Sequence, residues 1–578
     1  MRCRSIMLVF ALLLPCTVHA QMEVTNWVRT NAVPLKTVEA RHGFDDMEPL
    51  RRIIGDARIV SLGEATHGTR EFFQLKHRML EFLATQMGFT IFSIEANMPE
   101  AYRLNDYVLN GTGDPAALLR GMYFWTWNTE EVLDMVRWMR EFNASGKGRV
   151  QFTGFDMQTT TVAAEIVRAY VQHADPAYEP TVRDAVALAG RPASPSSAAF
   201  GLLVGTFPVS AVAGKTVRFS GYMKTEGVDT GYAGLWWRAD GTDRPAIAFD
   251  NMQTSGPRGT TEWQRYEFEL KIPAETRNIN FGVLHPGYGT AWFADLAVEI
   301  DGKKYENPAF DFTLSSSRPR GFGVNGAEYS IGADPAVTHD GHPTLRMVRP
   351  HAATTAATAS VSAATILAAW RAIYDKLRTS SDTSAAARWA TQNARIVVQA
   401  MESRTGGASR DQSMAENVKW ILEQNPNAKI VLWAHNGHVA ATNFAGSYKP
   451  MGAFLRDTYG SQMVVLGFAF NRGSFQAIGR ANGQPTRLQQ HTVSPADSGS
   501  FDAVLATART PVFALDLRPP AAAPVETWLN GAQATRWIGA VFDSSATRAY
   551  ITSIVPRRVF DVVLFVDSMT AARGLPMR

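Results

Sequence analysis

The sequence predicts an α/β protein with a mostly parallel sheet flanked by helices, interrupted by an all-β jelly-roll insertion. Three observations carry this. Before about Gly190 and after about Val361, short apolar strands alternate with amphipathic helices, the pattern of a parallel sheet covered on both faces. From about Gly201 to Pro350 the helical period vanishes, and short strands separated by Gly, Pro, Asp and Asn follow one another, as in a sandwich. The chain has 578 residues, too many for one core. The expected division is a leader over 1–20, a first α/β segment over 21–197, a β-sandwich insertion over 198–350 and a second α/β segment over 351–578.

The leader reads "MRCRSIMLVFALLLPCTVHA". Arg2 and Arg4 precede an apolar run, and Val-His-Ala fits a small-residue cleavage site after Ala20; an uncleaved anchor is the alternative. The expected location is secreted or periplasmic. No other segment reaches the roughly 18 apolar residues of a membrane span. Both cysteines, Cys3 and Cys16, lie in the leader, so the mature chain is expected to lack disulfides, thiol nucleophiles and thiolate metal sites. Losing Arg2 and Arg4 lowers the net charge from +4 to +2, which gives no reason to expect nucleic acid or a membrane surface as partner.

The elements follow in order. "ARIVSLGE" is a short buried strand. "REFFQLKHRMLEFLATQMG" is an amphipathic helix with Phe72, Leu75, Met79, Phe82 and Leu83 on one stripe and Gly88 as its stop. "FTIFSIEAN" and "RVQFTGFD" are the next strands, with the helix "NTEEVLDMVRWMREFN" between them. After the insertion, helical pattern runs from about Val361 to Met401 with a break near Ser380. "SMAENVKWILEQN" then leads into the strand "AKIVLWAHN". "QMVVLGFAF", "PVFALDL" and "FDVVLFVD" are the later strands.

Ligands of open α/β sheets bind beyond the carboxyl ends of the strands. Glu64 and His67 follow the first strand, Glu95 the second, Asp156 the third, and His435, Asn436 and His438 follow "IVLWA". Gly63 and Gly68 bracket the first pair and are expected to let the backbone turn tightly. One such residue alone is more often a cap or a packed polar group. Four strands delivering ionisable groups to one edge make a joint site. The chemistry fits ester hydrolysis. A neutral imidazole takes a proton from water as attack begins, and Glu64 or Glu95 orients it. A second His or a cation stabilises charge on the carbonyl oxygen or protonates the leaving alkoxide. No G-x-S-x-G elbow is present, so a serine nucleophile is not indicated. Metal binding is the rival, because Glu-x-x-His with His-x-x-His supplies enough ligands. The order is not the H-E-x-x-H of zinc hydrolases, and neither metal nor cofactor is expected.

"LGEATHGTREFFQLKHRMLEFL", "FSIEAN", "MYFWTWNTEEV", "RDQSMAENV" and "IVLWAHNGHV" resemble the erythromycin esterase family. The resemblance implies an α/β core with much helix and metal-free hydrolysis of the macrolactone ester of macrolide antibiotics. It makes His67 the general base activating water and puts Glu64, Glu95, His435 and His438 on active-site positions. Lys76 stands where the resemblance leads one to expect a cleft arginine. Trp125 and Trp127 either wall a hydrophobic cleft or pack in the core. Arg410 and Asn436 are placed with Lys76 among the substrate-contacting residues. Asp411 is expected to cap its helix and His77 to be a surface or packed His.

The insertion resembles carbohydrate-binding jelly rolls, with "GTAWFADLAVEIDG" like their closing strand and "DPAVTHDGHPTLRMV" like their opening half. That order suggests a circular permutation. Trp236, Trp237, Trp263 and Trp292 either stack on sugars or, as the pattern favours, fill the core. The expected function is an exported hydrolase cleaving a carboxylic ester or lactone, with macrolide inactivation and antibiotic resistance as the biological reading. The expected partners are a small-molecule substrate and a glycan at the insertion. The alternatives are a metal-dependent hydrolase on the same residues and a non-catalytic glycan-binding surface protein.

Overall fold

Seven of the strands read from the sequence lie side by side in one sheet: β1 (Ile59–Leu62), β2 (Ile91–Asn97), β3 (Gln151–Asp156), β4 (Ile430–Trp433), β5 (Met463–Ala481), β6 (Val512–Asp516) and β7 (Val562–Met569). Their order is β6–β7–β5–β1–β4–β2–β3. Neighbours from β7 through β3 are parallel, and β6 runs antiparallel at one side. Every residue of β1, β2 and β4 is buried, as a sheet covered on both faces requires. The computed structural model describes residues 13–189, 200–228, 231–241, 246–306, 322–325, 329–350, 363–404, 407–444, 449–481 and 484–576.

Three helices matter for the site: α1 (Arg70–Met87), α2 (Glu130–Ala144) and α3 (Arg410–Gln424). The stripe of α1 is buried as its period requires. Gly88 ends it in the left-handed conformation, φ 73°, with its N–H on Leu83 O, a conformation glycine adopts without strain. The helical stretch after the insertion breaks near Ser380 into Ala363–Arg378 and Ala385–Arg404. β5 runs further than its apolar pattern suggests. Its second half pairs with Gln484–Val493, a hairpin that the polar composition there does not announce.

The chain divides into two compact units, Met1–Arg183 with Trp370–Arg578, and Asp184–Ala369. The second unit holds two antiparallel sheets, and residues of both, among them Leu203, Trp237 and Phe281 with Phe219, Phe293 and Met347, share one core. Gly289–Ile300 pairs with Thr216–Val228 on one side and His342–Arg349 on the other. Trp237 lies in that core, Trp236 and Trp292 are buried, and Trp263 is partly buried against His339. The expected joins near Ser197 and His351 lie outside the described residues, as do the first twelve residues of the expected leader. The helix Leu13–Asn31 runs across the expected cut after Ala20. Among the described residues, no helix is long and apolar enough to cross a membrane.

Candidate active site

β4 lies between β1 and β2, with Trp433 level with Leu62 on one side and Ile94 on the other. Parallel neighbours lie about 4.8 Å apart, so the residues at these strand ends are brought together. Gly63 and Gly68 are needed there, but not for the reason the sequence suggests. Neither has positive φ. A Cβ on Gly63 would meet Asn436 Oδ1 at 2.2 Å, and one on Gly68 would meet Gln476 O at 2.0 Å. They are glycine because two neighbouring segments press against this turn.

Glu64 is fully buried and accepts three donors. His67 Nδ1 lies 2.6 Å from Oε1, while Lys76 Nζ at 2.6 Å and Trp433 Nε1 at 2.8 Å reach Oε2. Burial raises the pKa of the carboxyl, but Lys76 and His67 outweigh it and hold the group below its ordinary value. Glu64 is therefore a carboxylate, and a carboxylate only accepts. His67 must donate through Nδ1, which leaves Nε2 as its basic nitrogen. Trp127, 1% exposed, stands edge-on to His67 at 6.1 Å and fixes its own indole by donating to Glu95 O.

Glu95 is the centre of a second cluster. Its Oε1 accepts from Arg410 Nη2 at 2.8 Å and its Oε2 from the backbone N–H of His435 at 2.9 Å. Burial opposes its ionisation, but His438, Arg410 and His67 hold it far below the usual carboxylate range. Arg410 also grips the fully buried Asp156 through Nε and Nη2, at 3.0 and 2.7 Å. His438 Nδ1 donates to Asp411 Oδ1 at 2.9 Å, and its Nε2 lies 3.1 Å from Arg410 Nη1 and 3.4 Å from Glu95 Oε1. The neutral ring satisfies Arg410, which can only donate. Burial lowers the His438 pKa, but Glu95 and Asp411 raise it more, so the net shift is upward.

His435 is held differently. Its Nδ1 accepts the backbone N–H of Gly437 at 3.1 Å. The proton of the neutral ring is then on Nε2, which is buried and has no hydrogen-bond partner among the described residues. Burial, with His67 and His438 nearby, lowers this imidazole to about 3. The ring centroids of His435 and His67 are 5.2 Å apart. One ring offers a lone pair and the other an N–H.

The structure thus brings together Glu64, His67, Glu95, His435 and His438, and it corrects two expected substrate contacts, Lys76 and Asn436. Lys76 is completely buried behind Glu64, with Nζ 4.3 Å from the Trp433 ring centroid; its long apolar stem lets the ammonium reach an internal partner. Asn436 is also fully buried. Its amide donates to Phe468 O at 2.8 Å and accepts Phe468 N at 3.1 Å, fastening the turn after β4 to β5. Arg410 is held by Glu95 and Asp156 and keeps 28% of its side-chain surface exposed, so its expected substrate contact is not overturned. Asp411 does not cap α3, since Ser409 Oγ does so by accepting Gln412 N; Asp411 is buried and accepts from His438 and from Met451 N. Trp125 is partly buried, and His77 is a packed core His. Sequence reasoning missed Trp433, inside the quoted "VLWAHN", and Trp537, whose ring lies 6.1 Å from that of His435.

The donor set fits a metal poorly. Both Glu64 oxygens are occupied, and Lys76 and Arg410 already bring fixed cations to the acids a metal would use. Among the described residues, the group with metal-ligand spacing is Asp295, His339 and Asp340 in the all-β unit, not these residues.

The chain is 36% identical over 138 residues to an erythromycin esterase type II of Escherichia coli, 24% of this chain and 32% of that one, so it spans about a third of that relative's length. A Bacillus cereus protein of known crystal structure superposes with a TM-score of 0.60 at 19% identity, covering 96% of this chain and 99% of that one. An erythromycin esterase mutant in its open conformation superposes with a TM-score of 0.52 at 13% identity, covering 94% and 99%. Both likenesses speak for the fold alone. The erythromycin esterase family model matches residues 84–203 and 330–569, leaving the Leu62–Phe73 stretch before it and a gap within the all-β unit. Since those two stretches make up more than half of the chain, it belongs to the erythromycin esterase family.

Proposed function

We propose that the chain hydrolyses a carboxylic ester or lactone with water activated at His67. Glu64 fixes the Nδ1–H tautomer, and Nε2 takes a proton as the water oxygen bonds to the carbonyl carbon. Glu64 stabilises the imidazolium formed, as the acid of a catalytic triad does. His435 donates its Nε2–H to the carbonyl oxygen as that atom becomes negative. The tetrahedral adduct then collapses, the carbon–alkoxide bond breaks, and His67 returns the proton to the alkoxide, giving an acid and an alcohol. The observation that carries this reading is the pair of imidazoles at one strand edge, ring centroids 5.2 Å apart, one with Nδ1 on a carboxylate and the other with Nδ1 on a backbone N–H.

Within that reading the substrate class is the macrolactone of macrolide antibiotics, supported by the family and by the name of the Escherichia coli relative. Export to the periplasm or medium rests on the leader-like start. Glycan binding by the all-β unit rests on its resemblance to carbohydrate-binding jelly rolls. His67→Ala is expected to keep the fold and lose roughly 10²- to 10⁴-fold in ester hydrolysis. Near-normal turnover in the folded variant would sink the reading. Activity that disappears in EDTA and returns with zinc would favour a metal-dependent hydrolase instead.

A further inference from the structure

We infer that the chain carries a second ligand site, for the carboxylate or phosphate group of a small molecule, in a cavity of about 300 Å³ lined by Arg536, Arg548, Tyr550, Thr492 and Asp497 among others. The inference goes beyond the hydrolase reading and does not depend on it.

The lining is rich in donors. Arg536 is held in place before any ligand arrives. Its Nη1 donates to Asn471 O at 3.3 Å and Ser494 O at 3.2 Å, and its guanidinium carbon lies 5.6 Å from the Phe470 ring centroid. Nε and Nη2 make no hydrogen bond within the described chain. Arg548 is exposed and has no side-chain partner among the described residues. Tyr550 Oη accepts the backbone N–H of Asp543 at 2.8 Å, so its own O–H remains to be donated. Two guanidinium groups and a phenol, opposed by one carboxylate, favour an oxyanion, because charge-assisted bonds from guanidinium match its geometry.

The strand that presents Arg536 is anchored from behind. The fully buried Asp502 accepts the Arg536 backbone N–H at 2.9 Å and the Thr535 hydroxyl at 3.0 Å. Thr535 is thus turned to the interior. Trp537 packs near His435. Arg536 lies between them and points the other way, as alternation along an extended segment requires. The cavity is therefore separate from the catalytic imidazoles, yet it shares its wall with them. Trp537 N donates to Tyr550 O at 2.9 Å, and Ile538 N to Ala65 O at 2.6 Å, one residue from Thr66 and two from His67.

Calorimetric titration of the whole protein with inorganic phosphate, and separately with succinate, against chloride at equal ionic strength tests the site and tells phosphate from carboxylate preference. Saturable one-site binding of at least one anion is expected, weakened tenfold or more by Arg548→Ala and by Tyr550→Phe, and strengthened by Asp497→Asn. Arg548 is exposed, so its removal leaves the fold intact, and circular dichroism checks this for each variant. Absence of saturable binding of either anion to the wild type would overturn the inference. So would binding that persists unchanged in both Arg548→Ala and Tyr550→Phe, or an Asp497→Asn variant that binds more weakly.

Discussion

His67 and His435 stand with ring centroids 5.2 Å apart and are held as opposite tautomers, because His67 Nδ1–H donates a hydrogen bond to the Glu64 carboxylate while His435 Nδ1 accepts one from the backbone N–H of Gly437. Two similar side chains are thereby given different work by their backbone and carboxylate neighbours. His435, lowered to about 3, stays neutral across the working pH range, with Nδ1 accepting from Gly437 and Nε2–H as its one side-chain donor.

His435→Ala is therefore expected to lower kcat by about 10²- to 10³-fold with little change in KM, the loss typical of one oxyanion donor. His435→Gln keeps an N–H at the end of the side chain and should recover part of that loss. Equal kcat in the Ala and Gln variants would rule out the donor role.

Lys76 sets a pH limit. Burial lowers its ammonium to about 8, against Glu64, which raises it. Above about pH 8 the proton leaves, and Glu64 loses the cation beside Oε2. Hydrolysis is expected to fall as pH rises through this value, and Lys76→Arg should move the fall upward, since Arg keeps its charge. Stability should change with the opposite sign. The unfolded chain holds this proton up to about 10.5, so between about 8 and 10.5 it binds more protons than the folded one and this group makes stability rise with pH. A parallel loss of activity and melting temperature across that window would point to denaturation, not to Lys76.

Arg410 tests a different claim. It is the cation shared by Glu95 and Asp156, both buried. Removing one partner of a buried pair leaves charge uncompensated and costs about 3–5 kcal/mol. Arg410→Met is expected to lose that much unfolding free energy in a denaturant titration, and Arg410→Met with Asp156→Asn should regain part of it. A variant with unchanged stability and a raised KM would instead support the substrate contact that the sequence suggested for Arg410.

The strand ends were legible because apolar β-branched runs and the residues that follow them are local features. Glu64, His67, Glu95, His435 and His438 needed only the rule that parallel strands share one functional edge. The partners were not legible. Trp433 meets Glu64 across 369 positions, and no periodicity announces it. Lys76 follows Leu75 on the inward side of α1, where a charged residue is read as a cleft contact unless its internal partner is known. Asn436 looked functional because it sits between two histidines. Its amide has the spacing to clamp Phe468 of β5, and that depends on sheet order.

The all-β stretch gives the last prediction. Glu64, His67, Glu95, His435 and His438 belong to Met1–Arg183 and Trp370–Arg578, and Asp184–Ala369 forms a compact unit with its own core. A stretch of about 150 residues is large enough to fold alone. Joining Ser194 to Thr355 through a short flexible linker should therefore leave a folded α/β protein that still hydrolyses small esters, and residues 201–350 alone should give an all-β circular dichroism spectrum. Small and bulky esters then separate two roles. Loss of only the bulky activity would mean that the all-β unit selects substrate, and retention of both would leave it a tethering role. Loss of both, with an unfolded α/β part, would show that the two units do not fold independently.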